Sequence, residues 1–325
     1  MDELSEGGIQ VADLARSFGA VHAVRGASFA AAPGRVTGLV GPNGAGKTTL
    51  LLMLASLLAP DRGRIRIDGI DPVADPAAAR GVLGWMPDAL GAWPALTVRE
   101  TIVTTARLHD FDRDEAAART EELLELVDLR DLAATPARVL SRGQKQKLGL
   151  ARALVHRPRV LLLDEPASGL DPEARVQLRV LLRDLAAEGL TILISSHVLG
   201  ELEEVIDDAV FLVQGEVVAA PEPMARAWRI RLLPDSAPPE AGAQSVPDVG
   251  FVPGTGSAPL RVAAALGVEP HTLGTDRGDV LAVFSDEAAA AAALSRLVGA
   301  GLPVTSFAPA QSGLEQAFLT LAGAR

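Results

Sequence analysis

No cysteine occurs among the 325 residues. Its absence excludes disulfides, thiolate metal sites and cysteine nucleophiles, and it points to a reducing compartment. Nor is there a long apolar run. The segment LLLMLASLLA at 50–59 stops well short of the roughly 20 residues that span a bilayer as a helix. The first residues, MDELSEGG, are acidic and do not resemble a secretory signal. The chain is therefore expected to be soluble when expressed alone. Positive charge is scarce as well: 30 Lys and Arg against 41 Asp and Glu leave a net charge of −11. The basic footprint that a phosphate backbone requires is missing, so no nucleic acid partner is expected. What the chain does have is apolar residues, 48% of the total, enough at this length for two packed domains.

Periodicity places the elements. Residues 9–14, 27–31 and 35–40 read as short strands, and GRIRIDGI at 63–70 alternates apolar and polar residues up to an Asp68-Gly69 turn. Thr97 with Glu100 forms a capping box ahead of a helix to about Leu108, and Asp112 precedes an acidic amphipathic helix through Val127. Ser141 with Gln144 forms another box, and Leu148, Ala151, Leu154 and Val155 then recur at helical spacing. The start of that helix, with Arg142 beside it, attracts anions. By chemistry alone a plain capped surface helix with no ligand is the favoured reading. VLLLDEP at 160–166 and TILISS at 191–196, separated by a helical segment at 173–187, have the pattern of buried parallel strands with a crossover helix. This core is α/β. From about residue 222 the texture changes. Six prolines fall between Pro234 and Pro259, so about 234–259 reads as a linker. Beyond it, DVLAVFS at 279–285, a helix from Asp286 to about Val298 with its alanine run, the strand PVTSF at 303–307 and a last helix from Ser312 make a small α+β appendage. No internal repeat is visible.

Three stretches carry chemistry. GPNGAGKT at 41–48 fits G-x-x-x-x-G-K-[ST], with the strand RVTGLV entering it and the helix TTLLLMLASLL leaving it. Gly41, Gly44 and Gly46 let the backbone wrap a phosphate chain with its amides inward. Lys47 supplies charge to the β- and γ-phosphates, Thr48 a hydroxyl ligand for Mg²⁺, and the helix start a favourable dipole. Asn43, Ala45 and Thr49 belong to the same nucleotide-binding stretch. In VLLLDE, Asp164 ends a buried strand and is placed to bind Mg²⁺, while the adjacent Glu165 is placed to polarise an attacking water. His197 ends TILISS, where strand ends of an open α/β sheet converge on a ligand. A structural hydrogen bond is the bland reading of such a histidine; contact with a γ-phosphate is the functional one.

Taken in order, the P-loop GPNGAGKTT, LSRGQ at 140–144, VLLLDEP, SGLD at 168–171 and the histidine in SSHVLGE make residues 9 to about 220 resemble the nucleotide-binding subunit of an ATP-binding cassette (ABC) transporter. The resemblance implies a P-loop ATPase core with an antiparallel β subdomain and an inserted helical subdomain at about 88–158, together an ABC ATPase domain at 1–221. Residues 222–325 would be a C-terminal accessory domain. It implies ATP and Mg²⁺ as cofactors, with Glu165, His197 and Lys47 catalytic. It also implies head-to-tail pairing with a second ATPase subunit, a homodimer in the simplest case. In that sandwich Ser141, Gly143 and Gln144 of one chain grip the γ-phosphate of ATP held by the other, and Asp171 lies beside it. Phe18, in ARSFGAVHAV, matches the aromatic position that stacks on adenine; by chemistry alone it is as readily a staple for the first hairpin. Two positions depart from the family pattern. Arg142 stands where glycine is usual, which alters the electrostatics. Asp88, in GWMPDALGAWPALTVRE, stands where glutamine is usual and glutamate occasional; it is shorter and cannot donate when ionised, so a bridging water is needed if it is to reach Mg²⁺. In the same loop Trp93 and Leu96 either face a membrane partner or pack in the core. The expected assembly is peripheral, at the cytoplasmic face of the membrane, on a membrane-spanning permease subunit. GLEQAFLTLAG near the C-terminus is similar to the last helix of drug, lipid and polysaccharide exporters. The rivals are a soluble ABC ATPase acting on ribosomes or DNA, and a resistance or interaction protein that does not hydrolyse ATP.

Overall fold

The first hairpin shows how backbone pairing outruns a hydrophobic pattern. Strands β1 (Ile9–Phe18) and β2 (Val21–Ala31) pair antiparallel up to Phe18↔Val21, around a two-residue turn at Gly19 and Ala20. Both are longer than the apolar runs suggest, because Arg16, Ser17, His22 and Arg25 break the alternation near the turn while the pairing continues past them, with a register shift between Arg16 and Ser17. The buried strand β3 (Val36–Val40) runs through the glycine-rich loop into α1 (Lys47–Leu54). Strand β4 (Arg62–Ile67) pairs with β1 and turns at Asp68 and Gly69, with φ of 49° and 79°. Two consecutive left-handed residues are what an Asp-Gly type I′ turn demands. In this computed structural model, residues 7–88, 91, 93–196, 199–219, 226–233 and 257–310 are described.

After α2 (Pro76–Val82) and β5 (Leu83–Met86) comes the helical block of α3 (Val98–Leu108), α4 (Arg113–Leu126) and α5 (Arg142–Leu154). Thr97/Glu100, Asp112/Glu115 and Ser141/Gln144 all form complete capping boxes, so three helix starts are set by local chemistry. Ile102, Leu123, Leu124 and Leu148 are buried within the block. The chain then returns to the sheet through β6 (Val160–Asp164), α6 (Pro172–Ala187), β7 (Thr191–Ser195), α7 (Leu199–Glu203), β8 (Asp208–Val213) and β9 (Glu216–Val218). The sheet order is β5-β6-β7-β3-β8-β9, parallel except for β9. Strand β3 is thus central, and its C-terminal end opens between those of β7 and β8. One hydrophobic core joins this sheet to the antiparallel sheet β2-β1-β4 through α1: Ile9, Leu14, Leu39, Leu50, Met53 and Ile65 all belong to it.

The chain divides into two compact units, Met1–Ala220 and Pro221–Ala324. The second has the order β10 (Arg226–Leu232), α8 (Ala258–Leu266), β11 (Gly274–Asp276), β12 (Asp279–Phe284), α9 (Glu287–Gly299) and β13 (Val304–Pro309). Its antiparallel sheet runs β11-β12-β10-β13, a βαββαβ ferredoxin-like arrangement. Ile230, Val280 and Ala282 of the sheet pack with Val262 and Leu266 of α8 and with Ala293 and Leu297 of α9. Helix α8 begins at Ala258, inside the last residues of the stretch read as linker, and β10 precedes that stretch. The helix expected from Ser312 lies outside the described residues.

Candidate nucleotide-binding site

The glycines of the loop after β3 are required by contacts as well as by conformation. A Cβ on Gly41 would stand 2.3 Å from the Leu212 carbonyl oxygen, and one on Gly46 would stand 2.2 Å from that of Ala23. Gly44 and Gly46 also have φ of 81° and 102°, a region costly for other residues. The loop therefore lies pressed between β8 and β2. Gly46 caps α1 without a side-chain hydrogen bond, so the first amides of that helix keep their capacity for an anion. Lys47 is buried and donates to the carbonyl oxygens of Gly41 at 2.6 Å and Pro42 at 3.2 Å. Burial pushes its ammonium below the ordinary lysine value, while Glu165 and Asp164 pull it partly back.

The adjacent strands bring the acids to the same place. Asp164 ends β6 in register with Ser195 at the end of β7. Ser195 Oγ donates to Asp164 Oδ1 at 2.6 Å, and Thr48 Oγ1 donates to Asp164 Oδ2 at 3.2 Å. Both carboxylate oxygens of this buried side chain are thereby fixed. Glu165 follows in the left-handed region at φ 53°, and its N–H donates to the carbonyl oxygen and Oγ of Ser195 at 3.2 and 3.1 Å. A non-glycine residue held there costs on the order of 1–3 kcal/mol, and the paired amide is what keeps it. Ser195 thus holds the Asp164 carboxylate and the Glu165 backbone. Sequence reasoning passed over it; its only signal was its place opposite Asp164, which requires the strand order.

One cleft is lined by Asn43, Gly44, Gly46, Lys47, Thr48 and Thr49, by the acids Asp88, Asp164 and Glu165, and by Arg142 and Ser168. Thr48 and Asp164 offer hard oxygen donors of the kind a divalent cation takes. Among the described residues no cluster of three or more His, Asp or Glu side chains could hold a metal by itself. Gly41 and Ala45 sit in the loop behind the lining. Ser141 and Gln144 form the reciprocal box at the start of α5, with bonds of 3.2 and 2.9 Å, and Gly143 follows against Leu170. Asp171 caps α6 by accepting from the Ala174 N–H at 2.8 Å. Phe18 does not line this cleft. It is 49% exposed, with the Arg16 guanidinium 5.0 Å from its ring centroid. Trp93 is also exposed, under Arg152. His197 lies outside the described residues.

Known proteins share this arrangement. A family profile described as ABC transporter matches residues 24–168. The "Daunorubicin resistance ATP-binding protein DrrA3" of Streptomyces coeruleorubidus is 33% identical over 321 residues, 98% of this chain and 97% of that protein. The "Probable multidrug ABC transporter ATP-binding protein YbhF" of Escherichia coli (strain K12) is 44% identical over 192 residues, 59% of this chain; the chain spans 33% of that protein's length. A solved ATP-binding subunit of an ABC transporter is 30% identical, with a TM-score of 0.61 over 65% of this chain and 88% of the other. Motif order, site geometry and near full-length similarity to DrrA3 lead to one conclusion: the chain belongs to the ATP-binding proteins of the ABC transporter family.

Proposed function

We propose that the chain is the ATP-hydrolysing subunit of an exporter, binding Mg-ATP in the cleft bordered by the P-loop and by Asp164 and Glu165. The observation that carries this reading is the convergence of a backbone amide cradle, a buried Lys47 and the Thr48–Asp164 pair at one strand end. The P-loop amides and Lys47 bind the phosphate chain. Thr48 and Asp164 hold the cation, a sparse oxygen set suited to Mg²⁺ that arrives with phosphate and water ligands. When bound, that ion offsets charge on the phosphate oxygens. Glu165 accepts the proton of the attacking water, and His197 contacts the γ-phosphate. The start of α5, with Ser141, Gly143 and Gln144, serves ATP bound to a second copy, and Asp171 adjoins that contact. Among the described residues no helix is long and apolar enough to cross a membrane. In this reading translocation belongs to separate permease subunits, with this chain at the cytoplasmic face, as the family membership suggests. Similarity to proteins named for drug resistance and multidrug transport supports export. Residues 222–325 act as an accessory domain. The test is Mg²⁺-dependent ATP hydrolysis by the purified chain, set against Glu165→Gln. ATP binding without turnover in the wild type, or equal turnover in both, would overturn the reading.

A further inference from the structure

Arg142 opens α5, and its side chain crosses the turn that follows Glu165. A Cβ on Gly169 would stand 2.5 Å from Arg142 Cδ. At φ 78° that position already favours glycine, so the turn and the arginine stem fit each other. The guanidinium donates to Ser168 Oγ at 2.5 Å and stands 3.8 Å from Asp88 Oδ1. Gln146, one turn along α5, donates to the Ser168 carbonyl oxygen at 3.4 Å, which braces the same contact. Arg142 and Asp88 are the two places where this chain departs from the glycine and glutamine of the family pattern. They lie far apart in sequence, and the fold sets them side by side on the border of one cleft.

Charge gives the pairing a purpose. The cleft is lined by three carboxylates, Asp88, Asp164 and Glu165, against the cations Lys47 and Arg142. Asp88 contributes a negative charge that glutamine would not, and a like charge at the border of a polyphosphate site disfavours the ligand. Arg142 offsets it from within the same chain. We propose that Arg142 is a positioning residue of its own chain's nucleotide cleft: pairing with Asp88 and Ser168, it neutralises the border carboxylate and ties the start of α5 to the turn after Glu165. The proposal rests on the ATP-binding reading above. It assigns Arg142 a task within one chain, separate from what the α5 start does for a second copy.

The experiment uses the full chain at concentrations where sedimentation shows single molecules, with wild type, Arg142→Gln, Asp88→Asn and the double variant. Glutamine keeps much of the stem and removes only the charge, and Arg142→Lys retains the charge. Arg142→Gln is expected to weaken ATP binding about two- to fivefold, the size typical of an exposed ion pair. Adding Asp88→Asn should recover most of the loss, and molar salt should shrink it. Arg142→Lys should lose less than Arg142→Gln. In the absence of nucleotide, the two substitutions should also show non-additive effects on thermal unfolding. Wild-type ATP affinity in single chains of Arg142→Gln, a loss that Asp88→Asn leaves uncorrected, or strictly additive unfolding effects would overturn the proposal. If the wild-type chain binds no ATP while the unfolding coupling persists, the ATP-binding reading fails, and the positioning role fails with it.

Discussion

The two walls of the cleft are held by different means. On the sheet side, Lys47 and Asp164 are 8% and 4% exposed, and their bonds run to loop carbonyls and to a neighbouring strand in register. Moving Lys47 would leave a buried ammonium without its loop carbonyls, and moving Asp164 would disturb the end of a buried strand paired with β7. On the helical side, Arg142 and Asp88 are 64% and 51% exposed at their side chains, and the wall is joined to the core through side-chain contacts such as Arg142 to Ser168. Exposed contacts of this kind are each worth little, so they can be exchanged at small cost. A fixed wall and an adjustable wall that carries the α5 start suit a site that must admit and release a ligand. Substitutions on the fixed wall should therefore strike chemistry and binding hard, and those on the adjustable wall should act by smaller, separable amounts.

The largest effect belongs to Glu165. Glu165→Gln should slow single-turnover ATP hydrolysis by about 10² to 10⁴ while ATP still binds, because a general base contributes on that scale. Next comes Lys47. Lys47→Ala removes a buried cation whose charged hydrogen bonds are each worth about 1.5–3 kcal/mol, so equilibrium titration should show ATP affinity falling about 10- to 100-fold. No other lysine lies in the loop to replace it. Undiminished affinity would mean that the amide cradle alone holds the phosphates, and the contrast between the walls would then lose its basis.

Local signals were the legible ones. The P-loop and the boxes at Thr97/Glu100 and Ser141/Gln144 are written within a few residues, and the structure contains each as read. What was hidden depends on partners distant in sequence. Nothing near Gly41 says that Leu212 presses on it, and nothing near Gly46 names Ala23. Ser195 gains its meaning only once β6 and β7 are neighbours. Strand β5 is four residues, LGWM, too short for any period to register, although the run DAVFLV of β8 ahead of Gly215 carried a signal that could have been used. The Arg142–Asp88 pair was visible as two separate departures; their contact needed the fold.

The join between helical wall and sheet offers a pH test of intermediate size. His156, just past α5, stacks on His109 with ring centroids 4.1 Å apart, and its Nε2 lies 3.1 Å from the Leu83 carbonyl oxygen of β5. Burial, with His109 and Arg119 adding to it, lowers the His156 imidazole to about 4, against the pull of the Leu83 bond. An unfolded histidine takes up its proton near pH 6.5. Between those values the unfolded chain binds more protons than the folded one, so stability is complete above about pH 6.5 and falls as pH drops toward 4. The loss should be on the order of 2 kcal/mol, less than the full shift implies because solvent still reaches the ring. Denaturant midpoints measured across this range should slope with pH in the wild type and flatten in His156→Gln. Equal slopes would place the titrating group elsewhere.

The smallest stability change separates the two readings of the α5 start. Ser141→Ala removes a cap worth about 0.5–2 kcal/mol, a loss expected whether or not the helix meets a nucleotide. Stability alone therefore decides nothing. Ser141→Asp keeps a competent cap and puts a negative charge where a second chain's γ-phosphate would sit, so the unfolding midpoint should hold while ATP-dependent pairing fails. Mixing this variant with Lys47→Ala chains should rebuild one composite site, from the Lys47 of the first and the Ser141 of the second. Turnover in that mixture is an ambiguous readout, because a pair with one intact site can be slow, so heterodimer formation with ATP is the measurement to make. Wild-type pairing and turnover in Ser141→Asp by itself would reduce the start of α5 to a capped helix facing solvent. The adjustable wall would then bear on the cleft through the Arg142–Asp88 pair at its border.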